Sequence, residues 1–185
     1  DHDHDHGAVD PHLWLDPSLA RQFVIGVAQE LEGALGSAQP EPGEEAIEGV
    51  MSIRRASEDL VRRIDEVDAA YRERLAPFAG ASIVTTHDAF GRLLARYGLK
   101  VGGVIQPTGA QEPTMASVSA AAEAVREAGA RAVFVEPQAP QTWARRLAEG
   151  AGVPVGTLDP LGDGDWFAMM ERNLEELVRA LEGAG

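Results

Sequence analysis

From Pro77 onward the chain alternates short β-branched runs with helical patterns four times over, and this restricts the fold more than any other feature of the sequence. Residues 82–86, 101–105, 132–135 and 153–158 read as strands, while 89–97, 114–128, 142–149 and 166–181 carry apolar residues at helical spacing. Gly98 and Gly129 close the first two helical stretches. Strands separated by helices pair in parallel, with helices covering both faces of the sheet. Residues 78–185 are therefore expected to form an α/β domain, three layers around a parallel sheet. In such a sheet, ligands gather beyond the carboxyl ends of the strands. The residues that follow the four strands are His87 and Asp88, then Gln106, then Glu136-Pro137-Gln138, then Asp159-Pro160.

Upstream, one helical pattern runs unbroken from Glu44 to Leu75, with Ile47, Val50, Ile53, Leu60, Val61, Ile64, Val67, Tyr71 and Leu75 on its stripe. Such a stretch would extend about 48 Å at 1.5 Å per residue. That is long for a surface helix and suits a strut between two bodies. Before it, Gln39–Gly43 is a break, and a further helix is expected from Pro17, with Asp16 at its cap and its end at Gly33 to Gly36. His12 lies in a short segment read as extended, just ahead of that helix, and the chain starts with an Asp-His repeat over residues 1–6.

Composition narrows the chemistry. Lys and Arg total 16 against 30 Asp and Glu, a net charge of −14, which repels nucleic acid. No cysteine is present, so thiolate sites, thiol catalysis and disulfides are excluded. No apolar run reaches the roughly 20 residues of a membrane-spanning helix. Residues 1–6 do not read as a signal peptide, so an export signal would lie upstream. Imidazole and carboxylate donors without thiolate suit zinc, manganese or iron, and imidazole weights the choice toward zinc. Each candidate also has a plainer role open to it. A histidine after a strand can cap a helix, Asp159 can shape a turn, Glu136 can pair with an arginine, and the Asp-His repeat can be a solubilising segment.

Five motifs, taken in order, carry a resemblance. Residues 10–17 (Asp-Pro-His-Leu-Trp-Leu-Asp-Pro) resemble the DPHxWLDP segment of the zinc and manganese solute-binding proteins of bacterial ABC transporters. Residues 86–91 (Thr-His-Asp-Ala-Phe-Gly) with Arg96-Tyr97-Gly98-Leu99 resemble their HDAFG…RYGL segment. Glu112-Pro113-Thr114, residues 134–138 and residues 158–162 also match, in the family's order. The resemblance implies two α/β lobes joined by one long helix, with Zn2+ bound in the cleft as transported cargo and delivered to an ABC transporter membrane permease. It implies His12, His87 and Asp159 as metal ligands, with a further histidine from a first lobe that is largely absent here. His12 would then be held by that absent lobe. The implied division is a His-rich loop stub at 1–7, a remnant of the first lobe at 8–39, the inter-lobe helix at 40–77 and the second lobe at 78–185. It also implies a periplasmic or cell-surface protein that is not an enzyme. Manganese binding is the alternative. A zinc-dependent hydrolase, with three protein ligands, an open position and Glu136 as general base, is a more distant one. A metal-free interaction module would leave the His12 and His87 motifs unexplained.

Overall fold

The computed structural model describes residues 10–36, 43–104, 115–138 and 141–183. Its element order is α1 (Pro17–Gly36), α2 (Glu44–Leu75), β1 (Ser82–Thr85), α3 (Gly91–Arg96), β2 (Lys100–Val104), α4 (Met115–Glu127), β3 (Ala130–Val135), α5 (Gln141–Ala151), β4 (Val155–Thr157) and α6 (Trp166–Glu182). The four strands form one parallel sheet in the order β2-β1-β3-β4. The expected α/β fold, a parallel sheet with helices on both faces, therefore holds.

The strand order explains the two covered faces. The chain steps from β1 to β2 in one direction and then back across β1 to β3 in the other. Parallel crossovers are right-handed, so reversing the direction of travel moves the connecting helix to the opposite face. Side chains alternate along β3 accordingly. Ala132 and Phe134 join Ile83, Leu93, Leu94, Leu158, Met169 and Leu177 in one core layer, which α2 completes with Tyr71 and Leu75. Val133 and Val135 join Val118, Ala122, Val125, Trp143 and Leu147 in the other.

Helices α1 and α2 form an antiparallel hairpin, as the ion pairs Arg21–Asp65 at 3.1 Å and Glu32–Arg54 at 2.7 Å require. Helix α1 ends at Gly36, within the expected stop at Gly33 to Gly36, and Leu35 near its end packs on α2 at Gly49. Only the second half of α2 enters the lobe. Ile64, Tyr71 and Leu75 are buried, and the Tyr71 hydroxyl donates to the Met170 carbonyl at 2.7 Å. Toward its start, Ile47 and Met51 remain about half exposed, and Phe23 on α1 is 72 % exposed.

Candidate metal centre

The strand register builds one side of the site. Thr85 and Phe134 are paired across β1 and β3, so the residues two positions beyond them, His87 and Glu136, leave the sheet side by side. Their side chains meet. His87 Nδ1 lies 2.5 Å from Glu136 Oε1. A carboxylate only accepts, so the ring donates from Nδ1. This position is the switch point where the chain changes direction, where open α/β sheets place their ligands. Glu136 was read as the partner of an arginine or as a general base; in the structure its carboxylate bonds His87 Nδ1.

His12 comes from outside the sheet. Residues 13–15 form a single 3-10 turn where an extended segment was expected, with the Leu15 amide bonded to the His12 carbonyl at 3.2 Å. The turn drives Leu15 into the core of the lobe, where it is fully buried, a contribution of roughly 1.5–3 kcal/mol. Two indoles stitch the same segment down. Trp14 Nε1 donates to the Pro160 carbonyl at 2.7 Å, and Trp166 Nε1 donates to the Trp14 carbonyl at 2.8 Å. Asp10 also pairs with Arg92 of α3 at 3.5 Å. The α/β lobe itself thus holds the segment that carries His12.

The outcome is a pair of imidazoles. The ring centres of His12 and His87 are 5.0 Å apart, with planes at 89°. The His12 ring donates from Nδ1 to Asp10 Oδ1 at 2.9 Å, and the same oxygen accepts the His12 backbone N–H at 2.9 Å. His12 is the more enclosed ring, its side chain 13 % exposed against 40 % for His87.

Asp159 stands apart from this pair. Its Oδ1 accepts the Leu161 and Gly162 amides, both at 3.1 Å, which closes the loop after β4. Its backbone is clamped by Asn173 of α6: Asn173 Oδ1 accepts the Asp159 N–H and Asn173 Nδ2 donates to the Asp159 carbonyl, both at 2.8 Å. Among the described residues, no group of three His, Asp or Glu side chains is gathered closely enough to hold an ion. The Asp-His repeat, Gln106 and Glu112-Pro113-Thr114 lie outside the described residues. Asp88 is exposed. Sequence reasoning passed over Asp10, Asn173 and the two indoles as site builders. Asn173 had a legible signal, a lone amide beside Met170, Leu174 and Leu177 on the apolar stripe of α6.

Residues 1–180 match the family described as ZnuA, zinc-uptake complex component A, periplasmic. The zinc-binding protein AdcA of Streptococcus pyogenes is 29% identical over 191 residues, covering 98% of this chain and 35% of the relative. The high-affinity zinc uptake system protein ZnuA of Brucella abortus is 27% identical, covering 94% of this chain and 50% of the relative. The chain thus spans between a third and a half of these relatives. Among solved structures, the Zn(II)-bound ZnuA-like domain of Streptococcus pneumoniae AdcA superposes with a TM-score of 0.72 at 27% identity, over 96% of this chain and 66% of that one. FpvC of Pseudomonas aeruginosa in complex with Mn2+ superposes with a TM-score of 0.71 at 26% identity, over 95% of this chain and 65% of that one. With a family match over nearly its whole length and a fold shared with these structures, the chain belongs to the ZnuA family of zinc-uptake complex components.

Proposed function

We propose that this chain binds zinc as cargo at His12, His87 and Asp159 and hands it to the permease of an ABC importer. The spacing of the two imidazoles carries the reading. Two histidines on one tetrahedral zinc, each with its nitrogen about 2.05 Å from the metal, have ring centres about 3.2 Å from the ion and so about 5.2 Å from one another. The observed separation is 5.0 Å. With Asp159, the donor set becomes two imidazoles and a carboxylate, suited to zinc and without the thiolates of a soft-metal site. Both loop amides go to Asp159 Oδ1, so the second oxygen is the one that would serve as donor to the ion.

A carrier reading fits better than an enzyme. Glu136, the candidate general base, is bonded to His87 Nδ1. The half-covered apolar faces of α1 and of the first turns of α2 suit a further lobe packed on them, with α2 as the strut and a fourth ligand from that lobe. The family match supports an exported protein at the cell surface or in the periplasm, and no described helix is long and apolar enough to cross a membrane. Manganese remains the second reading, favoured by the Mn2+-bound FpvC structure.

Metal analysis of the purified protein, with chelator competition for zinc and manganese, tests the proposal. Stoichiometric zinc held more tightly than manganese is expected, and His87→Ala should weaken zinc about tenfold or more. Unchanged zinc affinity in that variant removes His87 from the site.

A further inference from the structure

We propose that Asp10 and Glu136 are positioning residues for the metal site, each setting the tautomer and aim of one imidazole so that both rings offer Nε2 to the same ion. The inference rests on the zinc-site reading above and extends it to two carboxylates that touch no metal in that reading.

The argument begins with proton bookkeeping. A neutral imidazole carries one N–H and one lone pair, and only the lone pair binds a metal. Each ring here has its Nδ1 against a carboxylate oxygen, at 2.9 Å for His12 and 2.5 Å for His87. Because a carboxylate without a proton can only accept, each ring holds its proton at Nδ1 and its lone pair at Nε2. Without the carboxylates, each ring would be free to exchange tautomers and to turn about its Cβ–Cγ bond. Half of those states present an N–H where a donor lone pair is needed.

The two carboxylates are themselves fixed, and by independent means. Asp10 is two residues from His12, and its Oδ1 also accepts the His12 backbone N–H, while Arg92 of α3 pairs with its other oxygen at 3.5 Å. Glu136 is 49 residues from His87 and reaches it only through the β1–β3 register. Two unrelated routes deliver the same geometry at adjacent rings. Both carboxylates are largely enclosed, with side chains 25 % and 20 % exposed.

Carboxylates behind metal-bound imidazoles typically change affinity by about 10–100-fold when removed. The test uses the full protein in two readings. Long-range 15N–1H spectra of the histidine rings in metal-free protein, at alkaline pH where imidazole is neutral, report the tautomers directly. The wild type should show His12 and His87 as Nδ1–H. Glu136→Ala should release His87 to the other tautomer while leaving His12 unchanged, and should weaken zinc about tenfold or more by chelator competition. Glu136→Gln, whose amide oxygen still accepts from Nδ1–H, should keep the tautomer and recover part of the affinity. Thermal unfolding of the metal-free variants identifies any loss of fold, and the glutamine variant carries the test should the alanine variant unfold. Rings found as Nε2–H in the wild type overturn the proposal whatever the metal does. So does a glutamine variant no tighter than a folded alanine variant. Protein with both rings as Nδ1–H that binds neither zinc nor manganese supports the carboxylate–imidazole pairs and overturns the metal reading.

Discussion

Replacing Asn173 by alanine should loosen the loop that carries Asp159 and destabilise the lobe by about 2–4 kcal/mol. Asn173 is 1 % exposed, and its amide makes two hydrogen bonds of 2.8 Å to the backbone of Asp159. Each such bond contributes about 1 kcal/mol net, and stranding a buried partner costs about 1–3 kcal/mol more. Water entering the space left by the amide would recover part of this, which sets the lower end of the range. Urea unfolding followed by tryptophan fluorescence can read the change, since Trp14 and Trp166 are bonded in and beside this region. At a slope of about 2 kcal/mol/M, the midpoint should fall by roughly 1–2 M. Asn173→Asp is the sharper control. It keeps an acceptor for the Asp159 N–H but sets a carboxylate against the Asp159 carbonyl, so it should be no milder than alanine at neutral pH. Adding zinc should restore less stability to either variant than to the wild type, because the Asp159 donor is no longer pre-set. A midpoint within about 0.25 M of wild type in Asn173→Ala would refute the clamp.

Two other changes probe the frame around the site. A Cβ added at Gly156 would sit 2.4 and 2.7 Å from the Phe134 ring and 3.3 Å from Ala180 Cβ, so Gly156→Ala should overpack the layer under the sheet by about 1–3 kcal/mol. A melting temperature equal to wild type would refute that packing. Asp68 ties α2 to α3: burial pushes its pKa up, but hydrogen bonds from Arg96, Tyr97 and Arg72 outweigh it and hold the carboxyl at about 2, below its ordinary 3.8. Because the folded value is the lower one, the stabilisation is fully present above the unfolded value near 4 and is lost as pH falls through about 2. After allowance for solvent screening, Asp68→Asn should cost about 1 kcal/mol at neutral pH, with the gap to wild type closing on acidification through that window. A gap that stays constant from pH 5 to pH 2 in denaturant titrations would show that the charge of Asp68 is not what stabilises the joint.

The parts of this fold that periodicity encodes were legible before any coordinates. Strand–helix alternation placed the sheet, and the glycines at its helix ends marked turns that need positive φ: Gly98 at 76° and Gly129 at 58°. The apolar stripe from Ile47 to Leu75 marked α2, and the structure places that helix at Glu44–Leu75. Boundaries moved where tertiary contacts outweighed local signals. Residues 13–15, read as extended, tighten into a 3-10 turn because Leu15 has a core to enter.

Pairings were not legible, because a pairing depends on register and not on the residues themselves. Nothing in the segment around Glu136 says that it will face His87; that follows from Thr85 lying opposite Phe134, and a shift of one residue would turn the side chain to the other face of the sheet. The same holds for Trp14 and the Pro160 carbonyl, 146 residues apart in sequence and 2.7 Å apart in space. Sequence motifs named the histidines, but the surroundings that orient them are distributed over β1, β3, α3, α6 and the turn after Asp10. A site assembled this way places its precision in the scaffold. Substitutions at Glu136, Asn173 or Trp14, none of them a ligand in the proposed site, should therefore perturb metal binding through position alone, leaving the donor atoms unchanged.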